Sequence, residues 1–185
     1  SVIDSAFYEN STTGLRSDGG AIFSNTNLSG KQTSILSSTI SGNSTNDRGG
    51  GLYNADGLTV IKHSTITNNS APYFGFGSGV GTFGNSTTTK TQVGHSIIAG
   101  NIVNDPMLDG NGQPTNFPSD VDRINGNFQD SFQSLGYNLI GKGITTAFTT
   151  QNHDFFNIAD PGLEKLANNG GPTLNHALKE GSLAI

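Results

Sequence analysis

The alternation of apolar and polar positions in this chain is periodic. The phrases Ser5-Ala6-Phe7-Tyr8-Glu9-Asn10, Ser38-Thr39-Ile40-Ser41-Gly42-Asn43, Ser64-Thr65-Ile66-Thr67-Asn68-Asn69 and Ser96-Ile97-Ile98-Ala99-Gly100-Asn101 align without gaps. A fifth, degenerate copy is Asn138-Leu139-Ile140-Gly141-Lys142-Gly143, and the successive spacings are 33, 26, 32 and 42 residues. Three residues before each copy an apolar residue returns (Val2, Ile35, Ile61, Val93, Leu135), and two residues into it another does (Phe7, Ile40, Ile66, Ile98, Ile140). A second phrase follows the first three copies: Asp18-Gly19-Gly20-Ala21-Ile22, Arg48-Gly49-Gly50-Gly51-Leu52 and Phe76-Gly77-Ser78-Gly79-Val80. Each repeat therefore holds at least two short strands.

A repeat this small cannot bury its own apolar face, but stacked repeats place like residues above one another at the ~4.8 Å strand spacing and close a narrow core. The pattern predicts an all-β parallel β-helix of four to five coils. In it, Asn10, Asn43, Asn69 and Asn101 form a structural ladder, because amides stacked in register donate and accept along the axis. The glycines before Ile22, Leu52 and Val80 provide tight bends that side chains would obstruct.

Composition supports this reading and narrows the function. Only 32% of the 185 residues are hydrophobic, and Gly stands at 26. Much of the remainder is Ser, Thr and Asn, which are poor helix formers because their side chains compete for backbone hydrogen bonds. A formal net charge of −5 with scattered Lys and Arg excludes the basic footprint of a nucleic-acid binder or an anionic-membrane binder. The chain has neither Cys nor Trp, so a disulfide scaffold and a thiolate zinc site are excluded as well. No apolar run approaches the ~18 residues of a membrane span, and Ser1 in place of an initiator Met suggests a piece of a longer protein.

Phe7-Tyr8-Glu9-Asn10 followed by Gly19-Gly20-Ala21-Ile22 resembles the paired FxxN and GGAI repeats of polymorphic outer-membrane autotransporters, which are right-handed β-helix adhesins. Leu135-Gly136-Tyr137-Asn138-Leu139-Ile140-Gly141, then Asp160-Pro161-Gly162-Leu163, then Asn168-Asn169-Gly170-Gly171-Pro172-Thr173-Leu174-Asn175-His176-Ala177-Leu178 are similar to the end of choice-of-anchor Q domain bacterial surface proteins. There, NNGGPT, a His-Ala-Leu and a GSxAID segment close a β-helix just before a surface anchor. The resemblance, with the usual hand of parallel crossovers, implies a right-handed helix and a secreted or cell-surface location. It also implies an anchor beyond Gly181-Ser182-Leu183-Ala184-Ile185, where this chain stops short of the family's Asp. On this reading residues 1–145 are coils, with a long loop at about 102–132 rich in Pro, Asp, Asn and Gly (Pro106, Pro114, Pro118). Residues 146–185, whose stretch from Leu163 to Asn168 is compatible with a helix, cap the open end.

The candidate chemistry is sparse. A glycosidase needs two carboxyl groups about 5 to 9.5 Å apart, and no such pair recurs in adjacent columns. Asp18 shares a column with Arg48, which reads as an ion pair between coils. Asp120, Asp122 and Asp130 cluster in the loop as solvated acids; calcium is the one cofactor they suggest, without the spacing of a known calcium loop. The column before the repeated Ser holds Asp4, Ser37, His63, His95 and Tyr137. If the Ser points inward, alternation turns His63, His95 and Tyr137 outward as a candidate ligand-binding site for a sugar or a metal. His153 and His176 read as structural. A Thr face for ice or crystal binding is interrupted by Ala6 and Ile97 beside Thr39 and Thr65. Asn-x-Ser/Thr triplets at Asn10, Asn43, Asn68 and Asn85 follow from the turn composition. The expected function is a noncatalytic adhesin-like or structural surface module, with glycans, cell-surface components or neighbouring coils and chains as partners. The competing expectation is a polysaccharide lyase or hydrolase.

Overall fold

The computed structural model describes the chain except residues 16, 27–29, 73–76, 84–86, 109–113, 126–130, 144–147, 150 and 152. Phe76, Asn85 and Asp130 lie outside the described residues. The described residues form strands and turns without a helix, so the all-β class is what the structure shows.

Three parallel sheets, entered in a fixed order by each repeat, organise most of the strands. The first contains β1 (Val2–Ile3), β4 (Gln32–Leu36), β7 (Leu58–Lys62), β11 (Lys90–Gly94), β16 (Phe132–Ser134) and β18 (Phe148–Thr149). The second contains β2 (Ala6–Tyr8), β5 (Thr39–Ser41), β8 (Thr65–Thr67), β12 (Ile97–Ile98) and β17 (Leu139–Ile140). The third contains β3 (Ile22–Asn25), β6 (Leu52–Asp56), β10 (Val80–Phe83) and β15 (Val121–Ile124). Outside them lie β9 (Ser70–Ala71), β13 (Ile102–Leu108), β14 (Pro114–Pro118), β19 (Leu163–Ala167) and β20 (Asn175–Leu178).

The register turns the sequence columns into spatial ones. Phe7, Ile40, Ile66, Ile98 and Ile140 are consecutive Cα partners across the second sheet. Val2, Ile35, Ile61 and Val93 are partners across the first, and Ile22, Leu52, Val80 and Val121 across the third. Away from the first repeat all of these are fully buried. Burial of each such side chain contributes about 1.5–3 kcal/mol, so small aliphatics suffice for a core one side chain wide. Gly49 sits at φ 66°, and a Cβ there would fall 2.4 Å from the Leu52 carbonyl oxygen. At this bend only glycine fits.

Three expectations are corrected. Leu135 is not the fifth member of its column: Ser134 pairs with Val93, and Leu135 is 40% exposed. The segment between Ser134 and Asn138 is one residue longer than its counterparts, and Gly136 and Tyr137, both at positive φ, absorb the extra residue.

The stretch 102–132 is not one irregular loop. β13 continues the parallel pairing of β9 and folds back on β14 as an antiparallel hairpin. The chain then rejoins the third sheet, where Gly79 N–H donates to Ser119 O at 3.2 Å and Val80 N–H to Asp120 O at 2.9 Å. Ser119-Asp120 thus takes the place of the missing glycine phrase.

The C-terminal segment also differs from expectation. The stretch read as helix-compatible is β19, paired antiparallel with β20, because cross-strand pairing outweighs the weak local preference of a five-residue segment. Phe148 and Phe156 cover the end of the core: the Phe148 ring stacks on Phe132 at 4.7 Å and meets Phe156 edge-on at 5.5 Å. The β19–β20 hairpin instead lies against the outer face of the second sheet, held by a 2.9 Å contact between Ser41 Oγ and His176 Nε2.

Candidate functional site

The connection from the first to the second sheet is a bend made by one residue in the left-handed region. Asp4, Ser37, His63, His95 and Tyr137 occupy it in turn at φ 46, 48, 50, 51 and 59°. Such a conformation costs a non-glycine residue about 1–3 kcal/mol, and the next residue supplies the compensation. Ser38 Oγ accepts the N–H of Ser5 at 3.2 Å, Ser64 Oγ that of Ser38 at 3.1 Å and Ser96 Oγ that of Ser64 at 3.2 Å. Each hydroxyl donates back to the carbonyl two residues earlier, for example Ser64 Oγ to Lys62 O at 2.8 Å. Asn138 and Asp154 continue the series as acceptors for Ser96 N–H and Asn138 N–H. The bend therefore turns the ladder hydroxyl inward and the preceding side chain outward.

This brings His63, His95 and Tyr137 together and adds a fourth ring, His153, at φ 66°. Ring centroids are 5.0 Å apart for His63–His95, 5.0 Å for His95–Tyr137 and 4.8 Å for Tyr137–His153, with interplanar angles of 38, 22 and 11°. All four are exposed, and among the described residues their side chains make no hydrogen bond. A groove of about 470 Å³ runs beside the upper three rings, floored by Ile97, Leu139 and Phe155 and walled by Leu183, Ala184 and Ile185. A smaller one of about 280 Å³ lies between His63 and the hairpin turn at Pro172 and Thr173. His153, read from the sequence as structural, stands instead at the end of this column, a place hidden by a preceding repeat only 16 residues away. Its signal is the acceptor that follows it, Asp154, which stands where the other repeats have Ser or Asn.

The asparagine column is a hydrogen-bonded ladder. Asn10 Nδ2 donates to Asn43 Oδ1 at 2.8 Å, Asn43 Nδ2 to Asn69 Oδ1 at 2.8 Å and Asn69 Nδ2 to Asn101 Oδ1 at 2.9 Å. Each Oδ1 also accepts the backbone N–H of the residue below. Asp120 ends the series: its Oδ1 accepts from Asn101, and its Oδ2 accepts the Lys142 N–H at 2.6 Å. It is a buried structural acid rather than a solvated one, and burial pushes its carboxyl up to about 6 against the hydrogen bonds from Asn101 and Lys142. Asp122, also buried, accepts from Gly77 N–H at 2.9 Å and from the Ser119 hydroxyl. Both carboxylates have protein partners where a calcium ion would need their oxygens, and the described residues contain no group of three His, Cys, Asp or Glu side chains placed to hold a metal.

The remaining candidates fall apart as sites. Arg48 makes its direct ion pair with its neighbour Asp47 at 3.6 Å, while Asp18 takes a backbone hydrogen bond from Arg48 and feels its charge, its carboxyl being raised chiefly by burial. Thr39 is buried beside the hairpin turn, so the Thr column presents no open flat face. Asn43 is fully buried, whereas Asn68 is exposed at φ 57°. His176 is structural: its Nδ1 donates to Glu164 O at 2.7 Å while Nε2 faces the Ser41 hydroxyl. Compared with known protein families, curated proteins and solved structures, the chain finds no match.

Proposed function

We propose that the chain is a right-handed parallel β-helix of four to five coils, secreted or displayed on a bacterial surface, that acts as a noncatalytic binding or adhesive module. The fixed order in which the three parallel sheets are entered supports the helix, and parallel crossovers are right-handed in almost all proteins. The resemblance to anchored surface proteins supports the location. The observation that carries the binding role is the column of four exposed rings beside a groove. The acids near the core speak against hydrolysis, since the buried Asp120 and Asp122 and the half-buried Asp154 hold backbone N–H groups rather than facing solvent as a pair.

The test is incubation of the purified chain with neutral and acidic polysaccharides, following migration in polysaccharide-containing native gels and the appearance of reducing or unsaturated ends. Retardation without new chain ends is the expected result. New ends would make the protein a polysaccharide lyase or hydrolase instead.

A further inference from the structure

We infer that the ring column and the C-terminal segment together form a binding groove for a neutral, extended glycan of the 1,4-linked hexopyranose class, lying parallel to the column. The inference rests on the proposal that the chain is a binding module and names the ligand of that same site.

The spacing is the first argument. The rings recur at 5.0, 5.0 and 4.8 Å, set by the strand separation of about 4.8 Å, which is close to the advance per sugar of an extended 1,4-linked glycan. An extended peptide advances about 3.3 Å per residue and runs out of step with the column.

The chemistry of the lining is the second. The rings, stacked from His95 to His153 and tilted at His63, leave their edges exposed, so three imidazoles and a phenol offer a row of donors and acceptors. None has a hydrogen-bond partner among the described residues. Sugar hydroxyls, which both donate and accept, can meet such a row whichever nitrogen carries the proton. The groove beside it is apolar, with Ile97, Leu139 and Phe155 facing Leu183 and Ile185. This suits the C–H face of a pyranose ring, as ligand sites generally combine apolar walls with a few placed polar groups.

Charge decides between neutral and acidic glycans. Neither groove is lined by Lys or Arg, Asp4 lines the lower one, and the chain carries a formal charge of −5. A polyuronate or a sulfated chain would find no Lys or Arg to pair with in either groove.

The test is titration calorimetry with cellohexaose on the intact chain and on His95→Asn, Tyr137→Asn and Phe23→Ala. Asn tolerates the left-handed conformation, so the two column variants keep the bend, which circular dichroism verifies. Phe23, exposed on the third sheet, is the control. Each column variant is expected to weaken binding about tenfold, as for one or two lost hydrogen bonds, with Phe23→Ala unchanged. Absence of binding by the intact chain, equal binding by the column variants, or binding of oligogalacturonate in place of cellohexaose would overturn the inference. Cleavage of cellohexaose at this groove would support the glycan site while overturning the noncatalytic reading, so the two fail separately.

Discussion

Asp120 Oδ1 accepts both the backbone N–H of Asn101, at 2.7 Å, and its side-chain amide, at 2.8 Å. An asparagine in a ladder must pass its own amide hydrogens onward; a carboxylate only accepts, so it can end the series without an orphaned donor. Asp154 ends the serine column in the same way, taking the Asn138 N–H at 3.0 Å and its Nδ2 at 3.1 Å. Both ladders thus close on an acid.

The closure has a pH signature. Burial holds the Asp120 carboxyl at about 6 in the folded chain, above its ordinary value of 3.8. The folded state therefore binds this proton more tightly than the unfolded state. The associated stability, about 2 to 3 kcal/mol, is fully present below pH 3.8 and is lost as pH rises through 6. The difference in thermal midpoint between the chain and Asp120→Asn should change between pH 7.5 and pH 5, the acid form gaining as pH falls. A difference that is flat with pH would rule this out. The variant itself should be less stable at both, because its amide faces the Lys142 N–H.

The ladder should be strong in the middle and weak at its foot. Asn69 is fully buried, accepts from the Asn43 N–H and Nδ2, and donates to Ile40 O and Thr67 O. Asn69→Ala leaves several of these groups unpaired and should cost about 3–5 kcal/mol in urea denaturation. Asn10 is exposed; Asn10→Ala should cost less than about 1 kcal/mol, and an equal loss at both positions would contradict the geometry.

The ring column should be nearly dispensable for folding. In Tyr137→Asn, loss of ring stacking worth about 0.5–1.5 kcal/mol is offset by relief of the left-handed backbone, for a net change within about 1 kcal/mol. Ile98→Ala, at a fully buried core position, should cost about 2–5 kcal/mol by the same measurement. Comparable losses would show the column to be part of the core.

His176→Ala removes the contacts to Ser41 Oγ and Glu164 O that hold the C-terminal hairpin. Hydrogen exchange in β19 and β20 should quicken while the three parallel sheets keep their protection. Faster exchange throughout would mean that the hairpin is integral to the fold.

Which residues share an environment could be read from the repeats alone. In an in-register parallel stack the same position of every repeat meets the same neighbours, so an alignment column is also a column in space. That is why Phe7 to Ile140, Asn10 to Asn101, and the outward row of His63, His95 and Tyr137 were legible. Alternation predicted the outward row, although the structure produces it by a different device, the left-handed bend before each ladder residue. Legibility ended where the period broke. An extra residue before Asn138 displaced Leu135, the β13–β14 hairpin separated Asp120 and Val121 from their columns, and a short last repeat concealed His153 and Asp154. The position of the C-terminal hairpin, and with it the second wall of the groove, depends on contacts that no repeat encodes. The Ser41–His176 contact joins residues 135 apart, and a contact between a repeat and a segment outside the repeats leaves no period in the chain to read.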